Sequence, residues 1–380
     1  MVRKLQTCLI DNQHVLRTIV GFVLSVCFMP IFPGFAAEKK PVGVSSETMQ
    51  SIWNQAKTPF KYGVVIDPPP GKRVDCPSVF RFSGKWYMVY VQFEPPPAEG
   101  YSTQLAESLD LLHWKRLGTI LKGGDDALAW DHANAGGGIA LFDTRWGGSN
   151  TLGTYDGRYW ISYLGGKRFG YETTPLWIGM ASTHDPSQPQ LWQKLPAPVL
   201  TTNDADVRAG LETVTLYKSF VLRDKTRALG APFVMFYNGK GTSEQIYTAV
   251  SDDLKTWKRL GTGAAVENQP PPGFNHGVIS GDPQIVRMRG VWVMFYFGAF
   301  WKPGAFNTFA ASHDLVHWTK WTGDDLIKPS EPYDAKFAHK TWILKYKGTV
   351  YHFYCAVTND KNERRSIALA TSKDMRSSRP

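Results

Sequence analysis

The chain has 380 residues, of which 43% are hydrophobic, 13% aromatic and only 20% charged, a composition that excludes a disordered or coiled-coil protein. Its 35 Gly and 25 Pro mark frequent chain reversals and favour β structure over long helices. The formal net charge of +10 is diffuse, with no run of five Lys or Arg and no nucleic-acid motif, so nucleic acid is not expected as a partner, whereas an acidic glycan is compatible with the balance.

At the N-terminus, Arg3, Lys4 and Arg17 precede an apolar run from Thr18 to Met29, followed by Pro30, Pro33 and the small residues of Gly34-Phe35-Ala36-Ala37. This pattern predicts that residues 1–37 are a signal peptide, cleaved after Ala36 or Ala37. The run falls short of the roughly 20 apolar residues that cross a bilayer. An exported protein, periplasmic or extracellular, with no stable membrane span is therefore expected. Cys8 and Cys27 would leave with the leader, so Cys76 and Cys355 remain. They form either one disulfide, which export permits, or two buried thiols, and their spacing fits no zinc site. Residues 38–74 should form an N-terminal extension, with a helix near Ser46–Gln55 and a Pro68-Pro69-Pro70 segment, packing on the rim of a domain that spans residues 75–380.

That domain is organised by a repeat. Ser108-Leu-Asp110-Leu111-Leu-His-Trp114 returns as Ser251-Asp-Asp253-Leu254-Lys-Thr-Trp257 and as Ser312-His-Asp314-Leu315-Val-His-Trp318. A looser copy runs from Ser182 through Asp185 to Trp192, and a frayed one is Ser372-Lys-Asp374-Met375. Copies recur at roughly 60 to 80 residues, more than the ~40–45 residues of a four-stranded blade. Each follows a short β-type run. The pattern reads as a turn between two outer strands, in which Ser and Asp bond backbone N–H groups, Leu plugs inward and Trp begins the next strand. Upstream of each turn lies a polar residue, an alternating strand, a Gly turn and an aromatic strand, as in Asp75–Tyr90 and Asp282–Tyr296. Five such units predict an all-β fold: a five-bladed β-propeller with four-stranded antiparallel blades, an arrangement that leaves only short protected edges. Trp86, Trp160, Trp292 and Trp342 follow the strand alternation and are assigned to the core.

In a propeller the innermost strands line one axis, so the residues that open them converge at one mouth. Here these are Asp75, Glu212, Asp282 and His339, with Trp130-Asp131-His132 in the less regular second unit. Carboxyl groups gathered in a concave site push one another's pKa values apart, which leaves one as proton donor and another ionised. Cleavage of a glycosidic bond needs such a pair.

These Asp and Glu positions, the Ser-x-Asp-Leu-x-x-Trp turns and the Gly-x-Trp/Tyr strands resemble the five-bladed glycoside hydrolases of the family 43 type, related to families 32, 62, 68, 117 and 130. The resemblance implies Asp75 as general base and Glu212 as general acid. The third carboxylate of that pattern lies on blade two, where this chain has Gly136-Gly137-Gly138 instead. Asp131 or Asp282 would stand in for it. His339 resembles a blade-five His near a central cation or water, which leaves room for a structural calcium in the channel; no other cofactor is required. Inversion is implied as well, with carboxyls about 6.5–9.5 Å apart. Where a His serves as acid, His132 and His276 are the candidates. Trp130, Trp146, Phe300 and Trp301 lie in loops that suit sugar stacking, and Arg73, Arg168 and Arg208 suit an anionic substrate group. The expectation is an exported, exo-acting hydrolase of a plant or algal polysaccharide fragment. The alternatives are a non-catalytic carbohydrate-binding propeller, a sialidase-type enzyme (its Asp-box turns carry Gly where Leu stands here) and a phosphorylase-type enzyme.

Overall fold

The computed structural model describes residues 43–93, 100–268, 278–302 and 304–378. The expected signal peptide, Cys8, Cys27 and His276 lie outside them. Within them the chain forms five four-stranded antiparallel blades, the third and fourth joined by a single parallel pairing of Glu244 with Ile279. The first contains β2 (Arg73–Phe82), β3 (Lys85–Phe93), β4 (Ser102–Ser108) and β5 (Lys115–Leu121). The second contains β6 (Asn134–Ile139), β7 (Tyr159–Gly166), β8 (Trp177–Thr183) and β9 (Gln193–Lys194). β10 (Thr215–Arg223), β11 (Phe233–Lys240), β12 (Glu244–Ser251) and β13 (Lys258–Leu260) form the third, and β14 (Ile279–Met288), β15 (Val291–Ala299), β16 (Ala305–Ser312) and β17 (Trp318–Lys320) the fourth. The fifth holds β18 (Phe337–Tyr346), β19 (Thr349–Val357) and β20 (Arg365–Thr371), completed by β1 (Phe60–Ile66). Each sheet touches the next, and the fifth touches the first through β18, β19 and β20 against β2. The fold is the five-bladed propeller that the repeat predicts.

The boundary expected at residue 75 does not hold. β1 pairs antiparallel with β20, from Phe60 opposite Thr371 to Ile66 opposite Ile367, so the N-terminal segment supplies the outermost strand of the last blade. A strand edge left open at blade five would expose unpaired N–H and C=O groups, and β1 covers it. The expected helix is present as α1 (Ser46–Ala56), capped by the Ser45 hydroxyl, which accepts a hydrogen bond from the Thr48 N–H. Its buried Met49, Ile52 and Ala56 join the cluster of Val293, Phe295 and Phe309 between blades four and five.

The repeated turns share one geometry. Ser108 Oγ accepts from the Leu111 N–H at 2.9 Å, Asp110 Oδ1 accepts from the N–H groups of Leu112 and His113, and Trp114 Nε1 donates to the Leu111 carbonyl. Ser251, Asp253 and Trp257 repeat this set, as do Ser312, Asp314 and Trp318. Leu111, Leu254 and Leu315 all have left-handed φ, between 61° and 70°. A branched side chain resists that conformation, and burial of each Leu in the core offsets the cost. In blade two the hydroxyl comes from Thr183, whose Oγ1 accepts from the Asp185 N–H. Trp86, Trp160, Trp292 and Trp342 are buried as assigned. Both Cys76 and Cys355 are buried free thiols. Among the described residues no helix is long and apolar enough to cross a membrane.

Candidate active site

The innermost strands do not run straight into the mouth. In β2 the ladder pairs Asp75 with Val91 and resumes at Ser78 opposite Val89, leaving Cys76 and Pro77 unpaired. The same break leaves Tyr217 and Lys218 unpaired in β10, Asp282 and Pro283 in β14, and Lys340 and Thr341 in β18. A bulge of this kind bends the strand and re-aims side chains. Cys76, Asp282 and Lys340 take left-handed φ of 49°, 50° and 57°. Blade two keeps a regular ladder through Gly136, Gly137 and Gly138. These glycines stand where neighbours press in: a Cβ on Gly137 would lie 3.2 Å from Thr103 Oγ1, and one on Gly138 3.3 Å from Lys218 Cε.

The four bulges open into a cavity of about 220 Å³. Its carboxyl groups are Asp75, Glu172, Glu244 and Asp282, its cations Lys218, Lys340 and Arg365, and its aromatic lining includes Tyr101, Tyr171, Tyr217, Phe297, Phe300 and Phe337. Asp75 Oδ1 accepts from the Cys76 N–H at 2.8 Å, while Oδ2 accepts from Lys340 Nζ at 2.7 Å and Arg365 Nη1 at 3.4 Å. Burial works against the charged form of Asp75, but the charges of Lys340 and Arg365 prevail and hold its carboxyl well below the usual carboxylate range. Arg365 is itself braced by Glu363 at 2.7 Å and by the Tyr171 hydroxyl at 3.1 Å. Burial pushes His339 down to about 3, so at neutral pH it is an uncharged imidazole, edge-on to Phe297.

Glu244 shows the opposite behaviour. Burial, together with the neighbouring carboxyls of Glu172 and Asp282, pushes it up to about 8. Asn238 Nδ2 donates to Glu244 Oε1 at 2.9 Å and to Asp282 Oδ1 at 3.2 Å, and Asn238 Oδ1 accepts from the Asp282 N–H. One amide thus spaces the two carboxyls. Glu172, on the loop between β7 and β8, lines the cavity with left-handed φ of 51° and accepts no hydrogen bond from a described residue. A protonated carboxyl beside carboxylates in an aromatic-walled cavity can give a proton to a leaving oxygen while another activates water.

The chain is similar to two solved structures at 46% identity, each spanning 87% of this chain and 96% of its own: a complex of BT0996 with RGII, TM-score 0.83, and a glycoside hydrolase, TM-score 0.82. This chain is a member of the glycoside hydrolases. A thermostable family-43 glycoside hydrolase, 14% identical over 82% of this chain and 97% of its own, shares the fold with a TM-score of 0.58. No protein-family model and no curated protein sequence matches the chain.

Within this glycoside hydrolase, Asp75, Asp282, Phe300 and His339 of the expected residues line the cavity; His276 lies outside the described residues, and the other expected residues are placed elsewhere. Glu212 is the main correction. It precedes β10 rather than opening it, lies fully buried outside the cavity, and is gripped by Arg208 Nε at 2.7 Å, Arg259 Nε at 3.1 Å and the Tyr237 hydroxyl. These partners occupy both of its oxygens, Oε1 with the two guanidinium groups and Oε2 with the Tyr237 hydroxyl, and leave neither facing the cavity. Arg208 is consumed in the same network, with its guanidinium over the Tyr247 ring. Asp131 accepts from Lys194 on the outer strand β9 at 2.6 Å and from the Tyr163 hydroxyl at 3.0 Å. Trp130 packs on Tyr163 and Trp177, and His132 Nδ1 bonds the Gly124 carbonyl. Arg73 donates to the Asn362 carbonyl, and Arg168 to that of Thr174. Trp301 lies against Gly298 and Phe306, beside a separate recess on blade four. Among the described residues no group of three His, Cys, Asp or Glu is arranged to hold a metal, and the charged neighbours of His339 are Asp75, Lys340 and Arg365.

Glu172, Glu244, Lys218, Lys340 and Arg365 also line the cavity and are absent from the residues expected from the sequence. Glu244 opens the third strand of its blade and Glu172 sits in a loop, so a search confined to first strands passes over both. Lys218 and Lys340 emerge only from the bulges. A signal for those existed: Pro77 and Pro283 each occupy the second bulge position, where a residue without an N–H costs no ladder bond. Aligned on these prolines, Asp282 corresponds to Cys76 rather than to Asp75.

Proposed function

We propose that this glycoside hydrolase is exo-acting and inverting, removing a terminal sugar from an oligosaccharide with Glu244 as proton donor and Glu172 as the base that activates water. The observation that carries the reading is the split among the cavity's carboxyls: Glu244 raised to about 8, Asp75 held ionised by Lys340 and Arg365. Glu172 is favoured as base because no described residue donates a hydrogen bond to it, which leaves its lone pairs to water. Asp75, the base expected from the family 43 resemblance, has one oxygen committed to the Cys76 N–H and the other to two cations. Its role in this reading is to fix Lys340 and Arg365. The small volume, about 220 Å³, lies below the ~300–1,000 Å³ of drug-sized ligand sites and suits one sugar ring, which supports exo action. Three cations face four carboxyls, so none is in surplus for an anionic sugar. The 46%-identical BT0996 structure is a complex with RGII, and an oligosaccharide of that kind is the proposed substrate. The leader pattern supports action outside the cytoplasm.

The test compares Glu244→Gln, Glu172→Ala and Asp75→Asn on an RGII oligosaccharide and on a nitrophenyl glycoside of the sugar released. Loss of the acid should lower kcat on the oligosaccharide by about 10²–10⁴ and far less on the nitrophenyl glycoside, whose leaving group needs no proton. Azide should restore turnover to Glu172→Ala and not to Asp75→Asn. Equal losses on both substrates for Glu244→Gln, or azide rescue of Asp75→Asn alone, would reassign the roles. NMR of the first-formed anomer reads inversion directly.

A further inference from the structure

We propose that Lys218 and Asp282 act together as the specificity clamp of the cavity, holding two adjacent free hydroxyls of the terminal sugar, Lys218 donating to one oxygen and Asp282 accepting from the next. The assignment rests on the hydrolase reading above and adds to it the feature of the sugar that is recognised.

Lys218 is the second unpaired residue of the β10 bulge, and its stem passes close to Gly138 of blade two, where a Cβ would lie 3.3 Å from Lys218 Cε. The side chain is 10% exposed, and Nζ is sealed from solvent with no hydrogen-bond acceptor among the described residues. Asp282 Oδ2 is its nearest charge at 3.8 Å, beyond hydrogen-bond reach. An ammonium carries three donors and no acceptor, and burying it with all three unused is costly unless something supplies oxygen. Asp282 has matching spare capacity. Its Oδ1 takes the Asn238 amide, but among the described residues Oδ2 receives only the Cys76 thiol at 3.3 Å, a weak donor. A donor-only group beside an acceptor with free lone pairs fits a vicinal diol, one oxygen accepting while its neighbour donates. The ion pair also balances the local charge, which suits hydroxyls better than a carboxylate. A glycan continued through the hydroxyl held by Asp282 would remove its proton and leave that acceptor unmet, so the clamp selects chain ends.

The test uses the full chain with Lys218→Met, Lys218→Arg and Gly138→Ala, and an RGII oligosaccharide as probe. Lys218→Met should raise KM about 10- to 100-fold, the worth of a hydrogen bond to a charged group, with kcat within about threefold. On a Glu244→Gln background, calorimetric titration should show the same factor in affinity. Gly138→Ala, which presses on Cε, should raise KM in the same direction by less. The melting temperature of Lys218→Met should equal or exceed that of the unsubstituted protein, because an ammonium without hydrogen bonds is removed. Unchanged KM and affinity overturns the clamp. So does a fallen melting temperature or a failure to fold, since Lys218 would then be a structural counter-ion to Asp282. If the unsubstituted protein binds the probe without cleaving it, the hydrolase reading fails while the affinity comparison still decides the clamp. If it neither binds nor cleaves, both fall.

Discussion

Glu244→Gln has a consequence for stability as well as for rate, and its sign is opposite to that of most buried-site substitutions. The carboxyl has an ordinary value of 4.5 and is pushed up to about 8 by burial, then by Glu172 and Asp282. The native protein therefore binds this proton more tightly than the unfolded chain does. The associated stability is fully present below about pH 4.5 and is lost as pH rises through 8. At 1.36 kcal/mol per pH unit the whole span is worth about 4–5 kcal/mol. A glutamine mimics the protonated carboxyl at every pH and escapes this loss. Thermal unfolding followed from pH 4 to pH 9 should show the two proteins close together at the acid end. Glu244→Gln should then become progressively more stable, by several degrees at pH 9 on a scale of about 2 °C per kcal/mol. The kcat/KM of the unsubstituted enzyme should fall on its basic side near pH 8 as the donor loses its proton. Parallel melting curves across the whole range would refute the raised carboxyl, and with it the choice of Glu244 as acid.

Asp75→Asn strips Lys340 and Arg365 of their shared anion and should cost about 3–5 kcal/mol, as breaking a buried pair does; an unchanged denaturant midpoint would mean that the cations find other partners. Glu212→Gln should lower stability by a similar amount through Arg208 and Arg259 while kcat of the folded enzyme stays within about threefold, and a fall of about 10²-fold or more would return Glu212 to the chemistry. In the blade-three turn, Leu254→Ala should cost about 2–5 kcal/mol. Leu254→Gly should cost no more than that, because glycine relieves the φ of 61°; chemical denaturation of both variants checks this reversal of the usual order.

The architecture was legible because it is written locally. Ser, Asp, Leu and Trp at fixed spacing satisfy the turn with their own side chains, so three copies could be read as three blades without knowing what they pack against. The Trp residues at alternating strand positions were equally plain. The contribution of β1 was not, because Phe60–Ile66 pairs with Ile367–Thr371 across almost the whole chain, and no local pattern announces a partner so distant. The site was half legible. Asp75, Asp282 and His339 stand where convergence of inner strands puts them, whereas Glu212 has the same sequence signature and a different fate. What separates it from Glu244 is the company of Arg208, four residues before it, and of Arg259, which is distant in the chain and reaches it through the fold of blade three.

The bulge explains why convergence alone was too coarse a guide. A regular strand points alternate side chains to opposite faces, so only every second residue could reach the axis, and a single opening carboxyl per blade is all that such a strand offers. Two unpaired residues at the same point of four strands break that alternation and place adjacent residues in one cavity: Asp75 with Cys76, Tyr217 with Lys218, His339 with Lys340. Anion and cation can then be interleaved around the axis at a density that no straight strand allows. Blade two keeps its ladder and contributes glycine, and the room it leaves is taken by the stem of Lys218. The irregularities of the repeat, rather than its regular part, set the charge pattern of the pocket. Exchanges at bulge positions should therefore change which sugar is held while the blades themselves remain intact.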